Sequence, residues 1–397
     1  MSAPHIPSLA TLRSARPRPF GRHARGSGPS DVDDGKATDR IVQQTDQDAS
    51  VSRMSAVELG YLSDPFARDF VVDATQRRFP IINRGTYVRT TAIDTLVERF
   101  LAASPLEKKQ IISLGAGSDT RYFRLRTQVP SAQVVYHELD FASNTAHKIA
   151  VIRRSPSLQA ILEPGLTAKA GEQSAPHATI SEDATSLYSS TYNIHPVDLR
   201  TLHTAPDDGT SSSSTTATTT TTTLRNVDPM LPTLILSECC LVYLPPQDAD
   251  GIVKYFTSRV FAPSTPLGLI IYEPVKPGDS FGRVMVQNLA SRGIVLQTLK
   301  KYSSLGRQTA RLSALGFKSG QRAADVDFIW ERWIAEGEKE RVTRLEMLDE
   351  VEEWQMLAQH YCVAWGWRDG SGGADGDGRA DLFRDWAEHV EGQSSDD

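Results

Sequence analysis

The stretch 111-IISLGAGSDTRYFRL-125 runs from an apolar segment straight into a glycine turn. The apolar run IISL reads as a buried strand that ends at Gly115-Ala116-Gly117. Glycines at a strand's carboxyl end let a ligand approach the backbone, and open α/β sheets bind their ligands there. A dinucleotide fold would want G-x-G-x-x-G, but Thr120 occupies the third glycine position. A phosphate-binding P-loop would want a Lys followed by Ser or Thr, which this turn also lacks. Taken alone, the GxG reads equally as a structural tight turn or as a ligand turn.

Outward from this stretch the chain alternates. Strand candidates are 110-QIISLGA-116, 133-QVVYHELD-140, 191-TYNIHPVD-198, 233-TLILSECC-240 and 267-LGLIIYEPV-275. Helical patterns fall between them, notably 141-FASNTAHKIAVIRRS-155 and 247-QDADGIVKYFTSRVF-261. Hydrophobic strands alternating with helices imply an α/β fold, a doubly wound parallel sheet covered on both faces. Upstream, 56-AVELGYLSDPFARDFV-71 and 91-TAIDTLVERFLAAS-104 carry helical apolar spacing. Between them 79-FPIINRGTYVRT-90, with its Pro and Gly, reads as a connection. The segment 314-ALGFKSGQRAADVDFIWERW-333 predicts two antiparallel edge strands or a strand and a helix. Further on, 345-LEMLDEVEEWQMLAQHYCVAWGW-367 starts as a helix and ends as a strand.

Composition bounds the rest. With 397 residues, 39% hydrophobic and 23% charged, the chain can bury one large core or two smaller ones. A formal net charge of −6 gives no global attraction to nucleic acid or to an anionic membrane. No apolar run approaches the roughly 18 residues that span a bilayer. Residues 1–50 hold almost no large apolar side chains, so a disordered tail is expected there. Their basic, acid-poor start has the charge of a transit peptide, but Pro4, Pro7, Pro17 and Pro19 break any amphipathic helix. The tract 210-TSSSSTTATTTTTT-223 has nothing to bury and reads as a flexible insertion, spanning about 202–228. The end, 368–397, is an acidic Gly-rich segment, of which 369-DGSGGADGDGRADLF-383 reads as solvated. Three cysteines with no CxxC pair suit a reducing compartment, with cytoplasm the default.

The second strand sharpens the glycine turn. It ends in 137-HELDF-141, placing Asp140 at its carboxyl end, 25 residues beyond Gly115. An acid in that position accepts ribose hydroxyls in dinucleotide folds; elsewhere it caps a helix or pairs with an Arg. The third and fourth candidate strands end in 196-PVDLR-200 and 236-LSECCLVYLPP-246, bringing Asp198 and Glu238 to the same rim. Acids alone also suit a metal, but no His joins them at ligand spacing. Acids that take up a ribose and an adenine amino group around a cationic cofactor fit S-adenosyl-L-methionine, which has a ribose and no phosphates. A glycine turn without a phosphate-binding lysine then makes sense.

The combined pattern resembles the leucine carboxyl methyltransferase family. The matching pieces are 59-LGYLSDPFARDF-70, 81-IINRGTYVRT-90, 114-LGAGSDTRYFRL-125, 138-ELDF-141, 197-VDLR-200, 237-SECCLVYLPP-246, 272-YEPVKPGDSFGRVMVQNL-289 and 360-HYCVAW-365. They occur in order from about residue 51 to 367. The resemblance implies a class I S-adenosylmethionine-dependent methyltransferase fold, Rossmann-like, with an added N-terminal helical lid at 51–109 and a core at 110–367. It implies methylation of the C-terminal leucine α-carboxylate of the protein phosphatase 2A catalytic subunit. By the same resemblance Arg89 pairs with the methionine carboxylate of the cofactor, Gly115 forms the cofactor turn and Asp140 binds the ribose. Asp198 and Leu199 flank the adenine, and Glu238 is the acid at the end of the fourth strand. Arg53 stands where the family has a lysine, and the two cations are not interchangeable in geometry. Tyr243 and Arg121 are further candidates to line the pocket.

A leucine carboxylate is already ionised at neutral pH, so no general base is expected among the catalytic residues. Alignment and exclusion of water are left to the protein. Cys239, Cys240 and His137 therefore read as structural. The helices of 56–104 and the segment 272–285 are expected to wall a pocket for a protein tail. A tRNA wybutosine-type enzyme would carry kelch repeats of about 50 residues, which this chain lacks. A small-molecule carboxyl or O-methyltransferase, or a non-catalytic cofactor-binding regulator of the phosphatase, would also fit these motifs. Nothing calls for more than a monomer.

Overall fold

The computed structural model describes residues 31–71, 77–162, 178–204, 224–370 and 382–394. The first thirty residues, the Ser/Thr tract at 210–223 and the glycine-rich run at 371–381 lie outside these. In chain order the strands are β1 (Lys109–Leu114), β2 (Val134–Asp140), β3 (Thr179–Ile180), β4 (Leu187–Tyr188), β5 (Tyr192–Pro196), β6 (Thr233–Glu238), β7 (Leu267–Pro274), β8 (Gly320–Asp325) and β9 (Tyr361–Arg368). They form one nine-stranded sheet in the order β3-β4-β5-β2-β1-β6-β7-β9-β8. β5, β2, β1, β6 and β7 run parallel, while β9 is antiparallel to both β7 and β8. That order, with one reversed strand beside the edge, is the expected class I methyltransferase sheet. The two-residue β3 and β4 add an antiparallel edge that apolar periodicity does not reveal.

Every residue of β1, β2 and β7 is buried. The period-two alternation of a strand splits them between two cores. Ile111, Tyr136, Leu234 and Ile270 face one side, and Ile112, Leu139, Ile235 and Leu269 the other. Helices cover both faces, so no apolar side of the sheet meets water. Among the described residues no helix is long and apolar enough to cross a membrane.

The N-terminal part departs from the sequence expectation in three places. Residues 31–50, expected to be disordered, belong to α1 (Asp31–Glu58). Few apolar residues are needed, because polar contacts hold this helix: Arg200 donates to Asp39, Ser143 to Gln43 and Arg78 to Asp48. The helix expected over 56–71 stops at Glu58, where Gly60 takes a φ of +83° and a left-handed turn closes the end. The expected connection at 79–90 is instead the first half of α2 (Pro80–Ala102). Pro80 occupies its first turn, where a missing N–H costs nothing. Gly85 lies against the Trp354 ring, a packing role that outweighs its weak helix propensity. Downstream, α3 (Arg121–Gln128) and α4 (Ala142–Arg154) follow β1 and β2.

The chain end is also more ordered than its composition implies. Residues 384–389 form a short helix, with Phe383 and Trp386 fully buried. Trp386 Nε1 donates to the Leu96 carbonyl of α2 at 3.0 Å, and Gln393 reaches the backbone of Asp325. The aromatic content of this segment, not its acidic charge, decides its placement.

His137 and His195 stack inside the sheet, with Nδ1 of the first 3.1 Å from Nε2 of the second. Burial disfavours the imidazolium, pushing His137 down to about 3, helped by His195, and His195 down to about 4. Both favour the folded state fully above the ordinary value of 6.5 and cost stability as pH falls toward those lower values. Imidazole NMR titration should therefore find both rings still neutral about one pH unit below an ordinary histidine's midpoint. Protonation of either at that pH would show that the pair is not buried as described.

Candidate active site

β1 ends in the turn that opened the sequence. Gly115 and Gly117 adopt φ of +62° and +47°, values that cost a residue with a Cβ. Space forbids a side chain as well: a Cβ on Gly115 would stand 2.6 Å from Cys240 Sγ, and one on Gly117 would overlap the Asp46 carboxylate. The Gly115 amide extends the β1–β2 ladder by donating to the Leu139 carbonyl at 2.8 Å.

Asp140 closes β2 over this turn. Its Oδ2 accepts the Gly117 amide at 2.7 Å, and its Oδ1 accepts the Phe141 amide and Asn144 Nδ2. Burial raises its pKa, and the two amide bonds pull it back. These bonds occupy three of a carboxylate's four acceptor positions, leaving Oδ2 one more. Beyond β5, Asp198 is held by Arg200 through its side chain, and Leu199 beside it is buried. Arg200 in turn donates to Asp39, tying the α1 helix to this rim.

Glu238 ends β6. Arg89 of α2 brings its Nε to 2.8 Å from Glu238 Oε1, although its N–H does not point along that contact, so the pair is ionic rather than hydrogen-bonded. The Arg89 guanidinium also lies over the Tyr272 ring, 5.3 Å from its centroid. Burial alone would lower its pKa, but Glu238 carries it above the ordinary value. No hydrogen bond among the described residues uses the Arg89 Nη atoms. Arg53 of α1 pairs through Nε with Asp64 at 2.5 Å and brings Nη1 to 3.5 Å from Thr90 Oγ1.

These side chains surround one cavity of about 650 Å³, a size suited to a small-molecule ligand. Arg53, Arg89, Gly115, Asp140, Asp198, Leu199, Glu238 and Tyr243 all line it. It opens at the carboxyl ends of the parallel strands, between β1 and β6, where the strand order reverses. Arg121 does not line it; its guanidinium is buried behind, bonded to Asp94 and Asp119.

Sequence reading missed the roof of this cavity. Asp46 on α1 accepts both the amide and the hydroxyl of Ser118 at 2.7 Å, directly over the glycine turn. Asp46 lay in the stretch read as a disordered tail, and its polar contacts leave no apolar period to detect. The back wall is aromatic, with Tyr272 stacked on Tyr361 at 5.6 Å and Trp354 nearby. Tyr272 and Tyr361 lay inside quoted motifs, but only the β7–β9 pairing brings them side by side.

Solved structures align only loosely. An O-methyltransferase family protein from Burkholderia thailandensis matches over 84% of this chain and 73% of its own at a TM-score of 0.37 and 12% identity. Sequence comparison is far closer. The model of the family described as leucine carboxyl methyltransferase matches residues 36–257. Leucine carboxyl methyltransferase 1 of Aspergillus fumigatus is 54% identical over the whole of both chains. The protein of that name from Schizosaccharomyces pombe is 37% identical over 82% of this chain and 93% of its own. The Arabidopsis thaliana homolog is 35% identical over 83% and 90%.

Cys239 and Cys240 both line the cavity, and Cys239 takes a φ of +49°. Burial pushes the Cys239 thiol up to about 12, with Arg89 pulling the other way, and raises Cys240 as well. Burial thus favours the protonated thiol at both positions near neutral pH. Alkylation by iodoacetamide, followed by mass spectrometry, should leave both largely unmodified in the folded protein at that pH. Rapid labelling of either would contradict this assignment.

Proposed function

Because the chain belongs to the leucine carboxyl methyltransferase family, we propose that it transfers the methyl group of S-adenosyl-L-methionine to the C-terminal leucine α-carboxylate of the protein phosphatase 2A catalytic subunit. The observation that carries this reading is the convergence of eight of the nine candidate residues on one cavity at the sheet's switch point.

The donor set fits the cofactor. Glycines without Cβ atoms leave the backbone of the β1 turn open to it. The remaining acceptor on Asp140 Oδ2 suits a ribose hydroxyl, and Asn144 lines the cavity beside it. Leu199 offers an apolar face for adenine and Asp198 a carboxylate for its amino group. The Nη atoms of Arg89, with Arg53 beyond, suit the methionine carboxylate. No lysine stands at the turn to bind phosphate, and this cofactor has none.

When bound, the cofactor supplies a sulfonium methyl that is already activated for transfer. The chain's own residues then need only hold and align. A C-terminal carboxylate is ionised near neutral pH, so no side chain has to remove a proton. Tyr243 lines the cavity on the β6 side, and burial keeps its phenol protonated, able to donate to a carboxylate. The aromatic wall of Tyr272, Tyr361 and Trp354 excludes water and partly desolvates that carboxylate. Opposite the strand ends, Leu289 of the helix at 280–291 and the following Arg292 line the cavity, and Arg292 pairs with Asp48 of α1. The absence of a CxxC pair among the three cysteines supports placing this reaction in a reducing compartment, the cytoplasm.

Asp140→Ala should weaken S-adenosylmethionine binding about tenfold or more in calorimetry, by loss of an acceptor whose worth is about 1.5 kcal/mol or more. Arg89→Ala should do the same; unchanged binding in either would remove that residue from the cofactor site. The substrate is tested by labelled methyl transfer to the phosphatase catalytic subunit with and without its last leucine. Labelling should vanish when the leucine is removed. Labelling that persists would point to a different acceptor, and binding without transfer to a regulator.

A further inference from the structure

Seven ionised side chains alternate in sign behind the cavity. Arg53 contacts Asp64 at 2.5 Å, and Asp64 faces Arg124 at 3.8 Å. Arg124 pairs with Asp94 at 2.5 Å, and Asp94 with Arg121 at 2.9 Å. Arg121 reaches Glu238 at 3.3 Å, and Glu238 meets Arg89 at 2.8 Å. Only the two terminal arginines and Glu238 line the cavity; Asp64, Arg124, Asp94 and Arg121 do not. Asp119 adds a fourth acid through Arg121, so four arginines face four acids.

We propose that Asp94 and Asp64 are positioning residues, which act through this ladder to preorganise Arg89 and Arg53 for the carboxylate of the bound cofactor. The proposal rests on the cofactor reading given above. Arg53 and Arg89 come from different helices, α1 and α2, and reach opposite ends of the ladder. An arginine in an open cavity has many rotamers, and ordering it on binding costs affinity. Arg53 is clamped through its Nε by Asp64 and Arg89 is held by the charge of Glu238, so each guanidinium keeps its fork in one plane and presents its Nη edge without that loss. Glu238 can hold Arg89 only where Arg121 holds Glu238, and Arg121 is oriented in turn by Asp94. Asp64 fixes the other end and also accepts the Thr120 hydroxyl at 2.5 Å and the Phe66 amide at 3.0 Å. It thereby ties Arg53 to the residue that opens α3 after the glycine turn. Removing one charge from such a buried series leaves its partners uncompensated, and they rearrange.

The test uses the full-length protein carrying Asp94→Asn or Asp64→Asn, with Asp94→Glu as the charge-keeping variant. Arg368→Gln is the control: Arg368 caps the carbonyls of Thr257, Phe261 and Ala262 at the other rim of the sheet, so its loss destabilises without touching the ladder. The first readout is the side-chain Nε–H NMR resonances of Arg53 and Arg89 without cofactor. The second is the calorimetric dissociation constant of S-adenosylmethionine. Asp94→Asn should shift the Arg89 resonance and weaken binding about tenfold or more, and Asp64→Asn should do so through Arg53. Asp94→Glu should recover part of both. Arg368→Gln should lower the melting temperature and change neither. Added to Arg89→Lys, Asp94→Asn should weaken binding little further, because both act on one arm.

Unshifted resonances in both asparagine variants would overturn the ladder. Shifted resonances with binding within about twofold of the wild type would overturn its role in preorganisation. If Asp94→Asn does not fold, Asp94→Glu and Asp64→Asn give the same reading. Should the wild type itself bind no S-adenosylmethionine, the cofactor reading fails, while the resonances still decide whether the ladder holds the arginines.

Discussion

The bond from the Gly117 amide to the Asp140 carboxylate joins the two strand ends on which the site depends. It forms because β1 and β2 are parallel and in register, Leu114 opposite Leu139, so both chains leave the sheet at the same rim. A parallel sheet delivers every strand's carboxyl end to one edge, and here that edge collects Gly115, Asp140, Asp198 and Glu238. The turn after β1 must bend sharply under Cys240 and Asp46, which only residues without a Cβ allow. Replace the parallel pairing and these acids scatter. The cavity is thus a consequence of topology before it is a matter of particular side chains.

What sits on that edge was largely legible in the sequence. The long apolar runs announced the parallel strands, because a strand buried on both faces cannot hide its composition. Glycines and acids at their ends then marked the rim, and eight of the nine candidate residues line one cavity, Arg121 lying behind it. The roof was not legible. α1 from residue 31 to 50 is held by aspartates and glutamines against serines and arginines, contacts that carry no period. Pro80 and Gly85 read as breaks and proved compatible with α2, one at its first turn and one against Trp354. Asp64 and Asp94 lay in plain view in the sequence, but their pairing with Arg53, Arg121 and Arg124 exists only once distant segments meet.

The charge pattern around the cavity also suits the proposed reaction, which requires no acid–base pair. Its ionised groups are spent on holding one another: Asp94 is kept well below the usual carboxylate range by Arg124 and Arg121, which outweigh the burial that would raise it. Asp94 therefore holds its charge through the physiological range and offers no proton to exchange. A reaction that joins an existing anion to an activated methyl needs only that fixed frame and a dry wall, here aromatic. The two features belong together, since a frame of buried ions orients best where water is excluded.

The most direct test of this account is a crystal structure with S-adenosylhomocysteine and a peptide ending in leucine. The expected result places the adenosine between Asp140 and Leu199, the amino-acid end at Arg89, and the leucine carboxylate beside Tyr243 near the cofactor sulfur. Density for the cofactor outside this cavity, or a peptide whose carboxylate points away from the sulfur, would contradict it.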